Sequence, residues 1–151
     1  MNKVIIFGIS GFLNCLSAAF FGGLVFSRNP KRLVNKIFLV MSSSIAVWGF
    51  GYGFWLFSLE KEKALFWSRI LNLGATFIPV TFLHWILALL KLHQKKKKLI
   101  IFCYFISFIF ALFSFSPLYV RDVEKELFFN FWPKPGILYN FYLLFGYIGM
   151  V

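Results

Sequence analysis

Four long apolar segments, separated by short polar loops, limit what this chain can fold into. They cover residues 4–26, 37–57, 64–90 and 99–115, and a fifth runs from residue 137 to residue 151. A helix that crosses the hydrocarbon core of a bilayer needs about 20 residues. The chain is 60% hydrophobic and 14% charged, whereas a water-soluble domain is about one quarter charged. The pattern predicts an all-α, polytopic membrane helix bundle of about five transmembrane helices, with residues 1–151 forming a single transmembrane helical domain.

The first and last segments raise questions about the chain ends. Residues 4–26 follow Lys3 and have some features of a secretory signal peptide, but 23 apolar residues exceed the roughly 7–15 of a signal core. Small residues also share one face of this helix, which favours helix packing: Gly8, Gly11, Cys15, Ala18 and Gly22. The fifth segment has 15 residues, or about 22 Å of helix, less than the roughly 30 Å core. We therefore expect an incomplete last helix and a chain that is a fragment of a longer protein.

The distribution of charge predicts the orientation in the membrane. The net charge is +11, and nine of these charges lie in loops 27–36 and 91–98, which contain no acidic residue. Short loops rich in Lys and Arg remain on the cytoplasmic side. We expect a multi-pass protein of the inner or plasma membrane, with both basic loops in the cytoplasm and the N-terminus outside. The run Lys95–Lys98 has an alternative interpretation as an anionic-lipid patch, and nucleic acid is not an expected partner.

The third segment carries polar residues along one side of its helix. With a rotation of 100° per residue, four polar residues lie on one side of this helix, each within about 60° of the direction of Arg69, and the bulky apolar residues lie on the opposite side. The four are Arg69, Asn72, Thr76 and His84. Polar groups at membrane depth usually face the interior of a bundle. These four residues are our candidates for contact with a signal, and Pro79 is the candidate hinge, since proline interrupts helical hydrogen bonding.

Structural roles remain open for two of these residues. Arg69 lies near the outer end of the segment, where its side chain either extends to the interface or faces an outward-open cavity and meets an anionic group. His84 is either a hydrogen-bonded packing residue or a proton relay. No Asp or Glu lies within an apolar segment to act as its partner, which disfavours a relay.

Two further patterns concern packing and the outer loop. Small residues form a stripe on the second helix that predicts close contact with another helix: Ser42, Ala46, Gly49 and Gly53. The loop 116–136 is rich in aromatic residues, which are typical of an interfacial belt or, alternatively, of a cap over a ligand: Phe128, Phe129, Phe131 and Trp132.

No motif for catalysis is present in the sequence. It lacks a nucleophile elbow, a phosphate-binding glycine loop and a His-Glu-x-x-His sequence. Cys15 and Cys103 lie in separate segments, so we expect no disulfide and no metal site. We expect no enzyme activity, no cofactor and no catalytic residue in this chain.

The segment "ALFWSRILNLGATFIPVTFLHWILALL" resembles the third helix of the N-terminal seven-helix membrane region of bacterial histidine kinases and related signalling proteins. The resemblance rests on Arg69-Ile70, Gly74, Pro79 and His84. It extends to "SIAVWGFGYGFW" in the second helix and to "PKPGILYNFYLLFGY" at the start of the fifth. It implies a sensory input module of a two-component system that relays a signal through helix rearrangement. Only five of the family's seven helices are expected, no kinase segment follows, and the resemblance carries over no ligand.

Two other functions are considered. The chain is alternatively part of a small polytopic transporter, although it shows no internal repeat of the kind that transporters have, or it is a structural membrane subunit. The expected partners are the lipid bilayer, a second copy bound through membrane helices, and a small-molecule or lipid signal.

Overall fold

Within the residues that the structure describes, the fold is mostly helical and contains five helices and one β-hairpin. The computed structural model describes the backbone of residues 3–150 and the side chains through Gly146. The elements, in chain order, are α1 (Lys3–Arg28), α2 (Leu33–Phe57), α3 (Lys61–Leu89), α4 (Lys97–Phe113), β1 (Val120–Glu126), β2 (Phe129–Pro135) and α5 (Ile137–Met150). By length and composition, α1, α2 and α3 are able to cross a membrane. The expected incomplete end of the fifth helix at Val151 lies outside the described residues.

Helices α1 and α2 approach each other closely at glycines. A Cβ atom added at Gly49 would lie 2.7 Å from the Gly11 carbonyl oxygen and 2.9 Å from the Cys15 amide nitrogen. One added at Gly22 would lie 2.6 Å from the Ser42 Cβ atom. Because backbone atoms cannot move aside cheaply, only residues without a side chain fit at the closest point of this contact.

Helix α2 lies between α1 and α3, which explains why its glycines occupy more than one face. Gly51 packs against the Leu71 backbone of α3, with a hypothetical Cβ atom 2.6 Å from the Leu71 amide nitrogen. From the other side, a Cβ atom at Gly74 would lie 2.8 Å from the Ser44 carbonyl oxygen of α2. The sequence "GFGYGF" of α2 thus serves two helix contacts.

The expectation of an all-α fold omitted the hairpin in the loop 116–136. Strands β1 and β2 pair antiparallel, with Val123 opposite Pro133 and Glu126 opposite Phe129. The turn is Leu127-Phe128, and Leu127 has a φ of 54°, which is uncommon for a residue with a side chain. The prolines of β2 argue against a strand in a sequence, but a two-stranded sheet has only edge strands, where proline is tolerated.

The hairpin is packed onto one end of the bundle. Val123 and Phe129 are buried with Trp55 and Leu56 of α2 and with Ala64 of α3. A salt bridge of 2.7 Å joins the Lys61 ammonium at the start of α3 to the Asp122 carboxylate of β1. These contacts fix the hairpin as a cap above α2 and α3.

Candidate functional site

A cavity of about 360 Å³ lies beneath the hairpin, between α2, α3 and the beginning of α5. This volume is near the lower end of the range of ligand pockets, about 300–1,000 Å³. Half of the residues that line it are aromatic: Trp48, Tyr52, Trp55, Tyr119, Trp132 and Tyr139. The cavity is therefore suited to a small molecule that makes its main contacts with ring faces.

One wall is a row of three aromatic residues on α2. Trp48, Tyr52 and Trp55 follow one another at the spacing that places residues on one face of a helix. The Trp48 and Tyr52 rings stack with centroids 5.4 Å apart, and the Tyr52 and Trp55 rings lie edge to face at 5.5 Å. The Trp55 indole Nε1–H donates to the Phe131 carbonyl oxygen. This bond ties the α2 wall directly to the hairpin.

The hairpin supplies the roof of the cavity. The Trp132 ring meets the Trp55 ring edge to face, with centroids 5.5 Å apart. Lys134 also lines the cavity, but its ammonium lies 2.8 Å from the Glu126 carboxylate and 3.8 Å from that of Glu124. The hydrogen bond to Glu126 raises the pKa of Lys134. Lys134, the one charged residue among the described residues of the wall, is thus already paired with acidic groups.

Asn72 of α3 supplies an amide to the cavity wall. The residue is 5% exposed, and its Nδ2 donates to the Ser68 carbonyl oxygen at 2.7 Å. Because a carbonyl oxygen can only accept, this bond fixes which end of the amide is the nitrogen. The Asn72 Oδ1 has no hydrogen-bond donor among the described residues, so it remains able to accept one from a ligand.

Tyr119 lines the cavity and also contacts Thr76 of α3. It is fully buried, and its hydroxyl lies 3.2 Å from the Thr76 Oγ1. The Thr76 hydroxyl itself donates to the Asn72 carbonyl oxygen at 2.8 Å, so the Tyr119 hydroxyl is the donor in the contact between them. Burial raises the pKa of Tyr119, which keeps the phenol protonated as this donor.

Three tyrosines connect the cavity to the middle of helix α3. The Tyr119 ring centroid lies 5.7 Å from that of Tyr139 and 5.8 Å from that of Tyr142. Tyr139 and Tyr142 are themselves 6.0 Å apart. Tyr119 and Tyr139 line the cavity, whereas Tyr142 contacts α3 more deeply. We call these three residues the tyrosine cluster.

The tyrosine cluster ends at the proline of α3. Pro79 lies inside this helix and has no N–H, so the carbonyl of Ala75, four residues earlier, loses its usual helical donor. The Tyr142 hydroxyl of α5 donates to this Ala75 oxygen at 2.8 Å. A side chain from another helix therefore replaces the hydrogen bond that the proline removes.

The four polar residues of α3 that were predicted to contact a signal do not lie together in one site. Asn72 lines the cavity and Thr76 lies behind Tyr119. Arg69 is half-buried outside the cavity, where its guanidinium donates to the Val120 carbonyl oxygen at 3.4 Å and its buried Nε lacks a partner among the described residues. His84 lies farther along α3, with its Nδ1 3.3 Å from the Tyr104 hydroxyl of α4.

The small residues of α2 lie mainly at the contact with α1. Ser42 and Gly49 face α1 as described above, and a Cβ atom at Gly53 would lie 2.7 Å from the Phe12 ring. Ala46 is half-buried and borders a shallow apolar surface pocket that also includes Cys15. Both cysteines, Cys15 and Cys103, are free thiols.

The sequence interpretation named one aromatic residue of the cavity wall, Trp132, and missed the aromatic residues that the helices and Tyr119 contribute. Trp48, Tyr52 and Trp55 have helical spacing, which could have indicated a common face. Tyr139 and Tyr142 are three residues apart on α5 and could also have been paired. Nothing in the sequence near Tyr119 indicates that it meets either group.

A comparison with known protein families identifies a family for this chain. The family model described as the N-terminal 7TM region of histidine kinase matches residues 9–151, which is nearly the whole chain. No curated protein and no solved structure matches the chain significantly.

Proposed function

The chain belongs to the family of N-terminal 7TM regions of histidine kinases, and we propose that it receives a signal in the cavity beneath the hairpin. The family predicted from the sequence is confirmed. This region is the membrane input part of such kinases, a non-catalytic region. The observation that carries the proposal is the tyrosine cluster, since Tyr139 lines the cavity and its neighbour Tyr142 donates to the carbonyl freed by Pro79.

The proposed orientation places the cavity outside the cell. The hairpin lies at the same end of the bundle as the start of α1, where the Lys3 ammonium is 5.7 Å from the centroid of the Phe128 ring. The basic loops 27–36 and 91–98 lie at the opposite ends of these helices. Since basic loops favour the cytoplasmic side, a ligand would enter from the extracytoplasmic side, and α3 would carry the response inward.

The proposed mechanism is a change in how α3 bends at Pro79. With the Tyr142 hydroxyl bound to the Ala75 oxygen, α5 holds α3 in one bend. A ligand that displaces Tyr139 would also move Tyr142, and the Ala75 carbonyl would lose its donor. Two arrangements that differ by one buried hydrogen bond are close enough in free energy for a ligand to shift their populations.

Arg69 and His84 have supporting roles in this proposal. The bond from Arg69 to the Val120 carbonyl positions the hairpin above α3, and the Arg69 side chain does not reach the cavity. His84 packs α3 against α4 through Tyr104, on the cytoplasmic side of Pro79. Arg69→Ala is expected to loosen the cap, and His84→Ala to change packing without removing a ligand contact.

The test compares two substitutions that each remove one tyrosine hydroxyl. In the kinase that carries this region, Tyr142→Phe is expected to change phosphotransfer to the response regulator in the absence of ligand. Tyr104→Phe is the matched control, because its hydroxyl also joins two helices but lies outside the tyrosine cluster. Membrane levels of both variants are measured by immunoblot.

Equal output from the two variants and from the unmodified kinase would contradict the proposed mechanism. A change with Tyr104→Phe as large as that with Tyr142→Phe would also contradict it, because the effect would then reflect loosened helix packing in general.

A further inference from the structure

We propose that the cavity binds an uncharged, planar aromatic or heteroaromatic compound of one or two rings that carries an N–H or O–H donor. This inference rests on the proposed function, since it names the ligand class for the same cavity. It is carried by three features of the described wall: its aromatic side chains, its lack of unpaired charge and the amide of Asn72.

The aromatic side chains of the wall favour flat, polarisable ligands. Trp48 and Tyr52 of α2 lie along one side, and Trp132 of β2 forms the roof. Aromatic side chains bind other rings by offset stacking and edge contacts. A volume of about 360 Å³ suits one or two rings and is too small for a lipid with long acyl chains.

The same rings would also suit an organic cation, as in aromatic cages, but the nearby charges oppose one. Lys134 lines the cavity, and none of the described lining residues carries a carboxylate. Arg69 lies close by on α3 without an acidic partner among the described residues. The nearest carboxylates, Glu124 and Glu126, are already paired with Lys134, so a cation in the cavity would find no free carboxylate and would lie near Arg69, which disfavours its transfer from water.

An anion is disfavoured for a different reason. The Lys134 ammonium in the wall is paired with Glu124 and Glu126. A carboxylate or phosphate ligand would have to compete with both acids and would lie beside their negative charge. An uncharged ligand meets none of these costs.

The Asn72 amide determines the polar requirement of the ligand. Its nitrogen is committed to the Ser68 carbonyl, so Oδ1 is an acceptor that a donor on the ligand would satisfy. A site built to bind a donor rejects an analogue that lacks it, because the protein group then stays unpaired. The indole and phenol classes have the required flat ring and single donor.

The test uses four fluorinated probes and ligand-observed ¹⁹F NMR with the 151-residue chain in lipid nanodiscs. The probes are 5-fluoroindole, its N-methyl analogue, 5-fluoroindole-3-acetate and a fluorophenyl trimethylammonium ion. Empty nanodiscs correct for partition into lipid. The proposal predicts saturable binding of 5-fluoroindole, about tenfold weaker binding of the N-methyl analogue, and still weaker binding of both ions.

Two variants locate the binding. Trp132→Ala is expected to weaken 5-fluoroindole binding by about tenfold or more, and Asn72→Leu to abolish the difference between 5-fluoroindole and its N-methyl analogue. Trp85→Ala is the control, because Trp85 packs against Phe38 and is not part of the cavity wall. Circular dichroism checks that each variant keeps its helices.

Tighter binding of the cation or the anion, or saturable binding of none of the probes, would overturn the proposed ligand class. A loss of binding with Trp85→Ala equal to that with Trp132→Ala would overturn the location. Neither result would affect the output test with Tyr142→Phe, so failure of the ligand class can be distinguished from failure of the proposed function.

Discussion

Replacing Tyr142 by Phe removes one hydroxyl and leaves the Ala75 carbonyl without a donor. The hydrogen bond is 2.8 Å long, and Tyr142 is 8% exposed, so water cannot easily replace the lost donor. An unsatisfied buried carbonyl costs about 1–3 kcal/mol, whereas hydrogen bonds between membrane helices contribute about 0.6 kcal/mol on average and about 1.7 kcal/mol at most. We expect Tyr142→Phe to lower the free energy of unfolding by about 1 kcal/mol.

The origin of this cost can be tested with Pro79→Ala as a second substitution. An alanine at position 79 has an N–H that can donate to the Ala75 carbonyl within the helix. In that background Tyr142→Phe is expected to cost less than about 0.5 kcal/mol, which gives a coupling free energy of about 0.5–1 kcal/mol between the two positions.

The unmodified chain, the two single variants and the double variant are unfolded in mixed micelles by increasing SDS. Circular dichroism and tryptophan fluorescence monitor the unfolding. Tyr104→Phe serves as the control, since its cost should be the same with Pro79 as with Ala at that position. An equal cost of Tyr142→Phe in both backgrounds would refute the idea that Tyr142 replaces the hydrogen bond lost at the proline.

Three further predictions concern the hairpin and the helix contacts. Leu127→Gly should stabilise the hairpin by about 1 kcal/mol, because glycine adopts a positive φ without steric cost; slower hydrogen exchange of the strand amides would show this, and faster exchange would contradict it. Gly49→Ala should destabilise the protein by about 1–3 kcal/mol, since its Cβ atom would meet the α1 backbone at 2.7 Å. A Cβ atom added at Gly23 would have no neighbouring atom within 4 Å, so Gly23→Ala should be neutral or stabilising in the same SDS titration. Equal effects of Gly49→Ala and Gly23→Ala would count against the proposed contact. The hydrogen bond from Lys61 lowers the pKa of Asp122, so this carboxylate stabilises hairpin docking above about pH 4 and the stabilisation is lost as the pH falls through the lowered value. A tryptophan fluorescence change in this acid range should be absent in Asp122→Asn, and an identical change in that variant would exclude Asp122 as its source.

The helical part of the fold could be predicted from the sequence, because length and apolar composition determine it. The observed bounds of α1 and α3, Lys3–Arg28 and Lys61–Leu89, lie close to the predicted segments 4–26 and 64–90. These segments have no other way to satisfy their backbone in lipid. The resemblance of α3 to the third helix of the 7TM region of histidine kinases could also be recognised from its sequence.

The hairpin could not be predicted in the same way. Its turn, Leu127-Phe128, has none of the glycine or asparagine residues that mark a two-residue turn, and β2 contains Pro133 and Pro135. What holds it is long-range packing of Val123 and Phe129 against α2 and α3. Local sequence carries little information about such contacts.

The candidate site was predicted only in part. The rotation of α3 correctly grouped Asn72 and Thr76, which lie near one another, but a common face does not place residues at the same depth. Arg69 contacts β1 and His84 contacts α4, so the four residues do not form one site. Tyr119, at the centre of the tyrosine cluster, lies outside the helices and could be found only from the folded chain.

A change in the bend of α3 can be measured directly as a distance between two spin labels. Spin labels at Leu33 of α2 and Leu89 of α3, both exposed, report the distance between neighbouring helix ends after Cys15 and Cys103 are replaced by alanine. Leu89 is ten residues beyond Pro79, or about 15 Å along the helix, so a 10° change in bend moves it by about 3 Å.

Pulsed electron paramagnetic resonance in nanodiscs measures the distance distribution between these labels. Tyr142→Phe is expected to shift or broaden this distribution, and Tyr104→Phe to leave it unchanged. Superimposable distance distributions for the unmodified chain and Tyr142→Phe would show that the tyrosine cluster does not control the bend of α3.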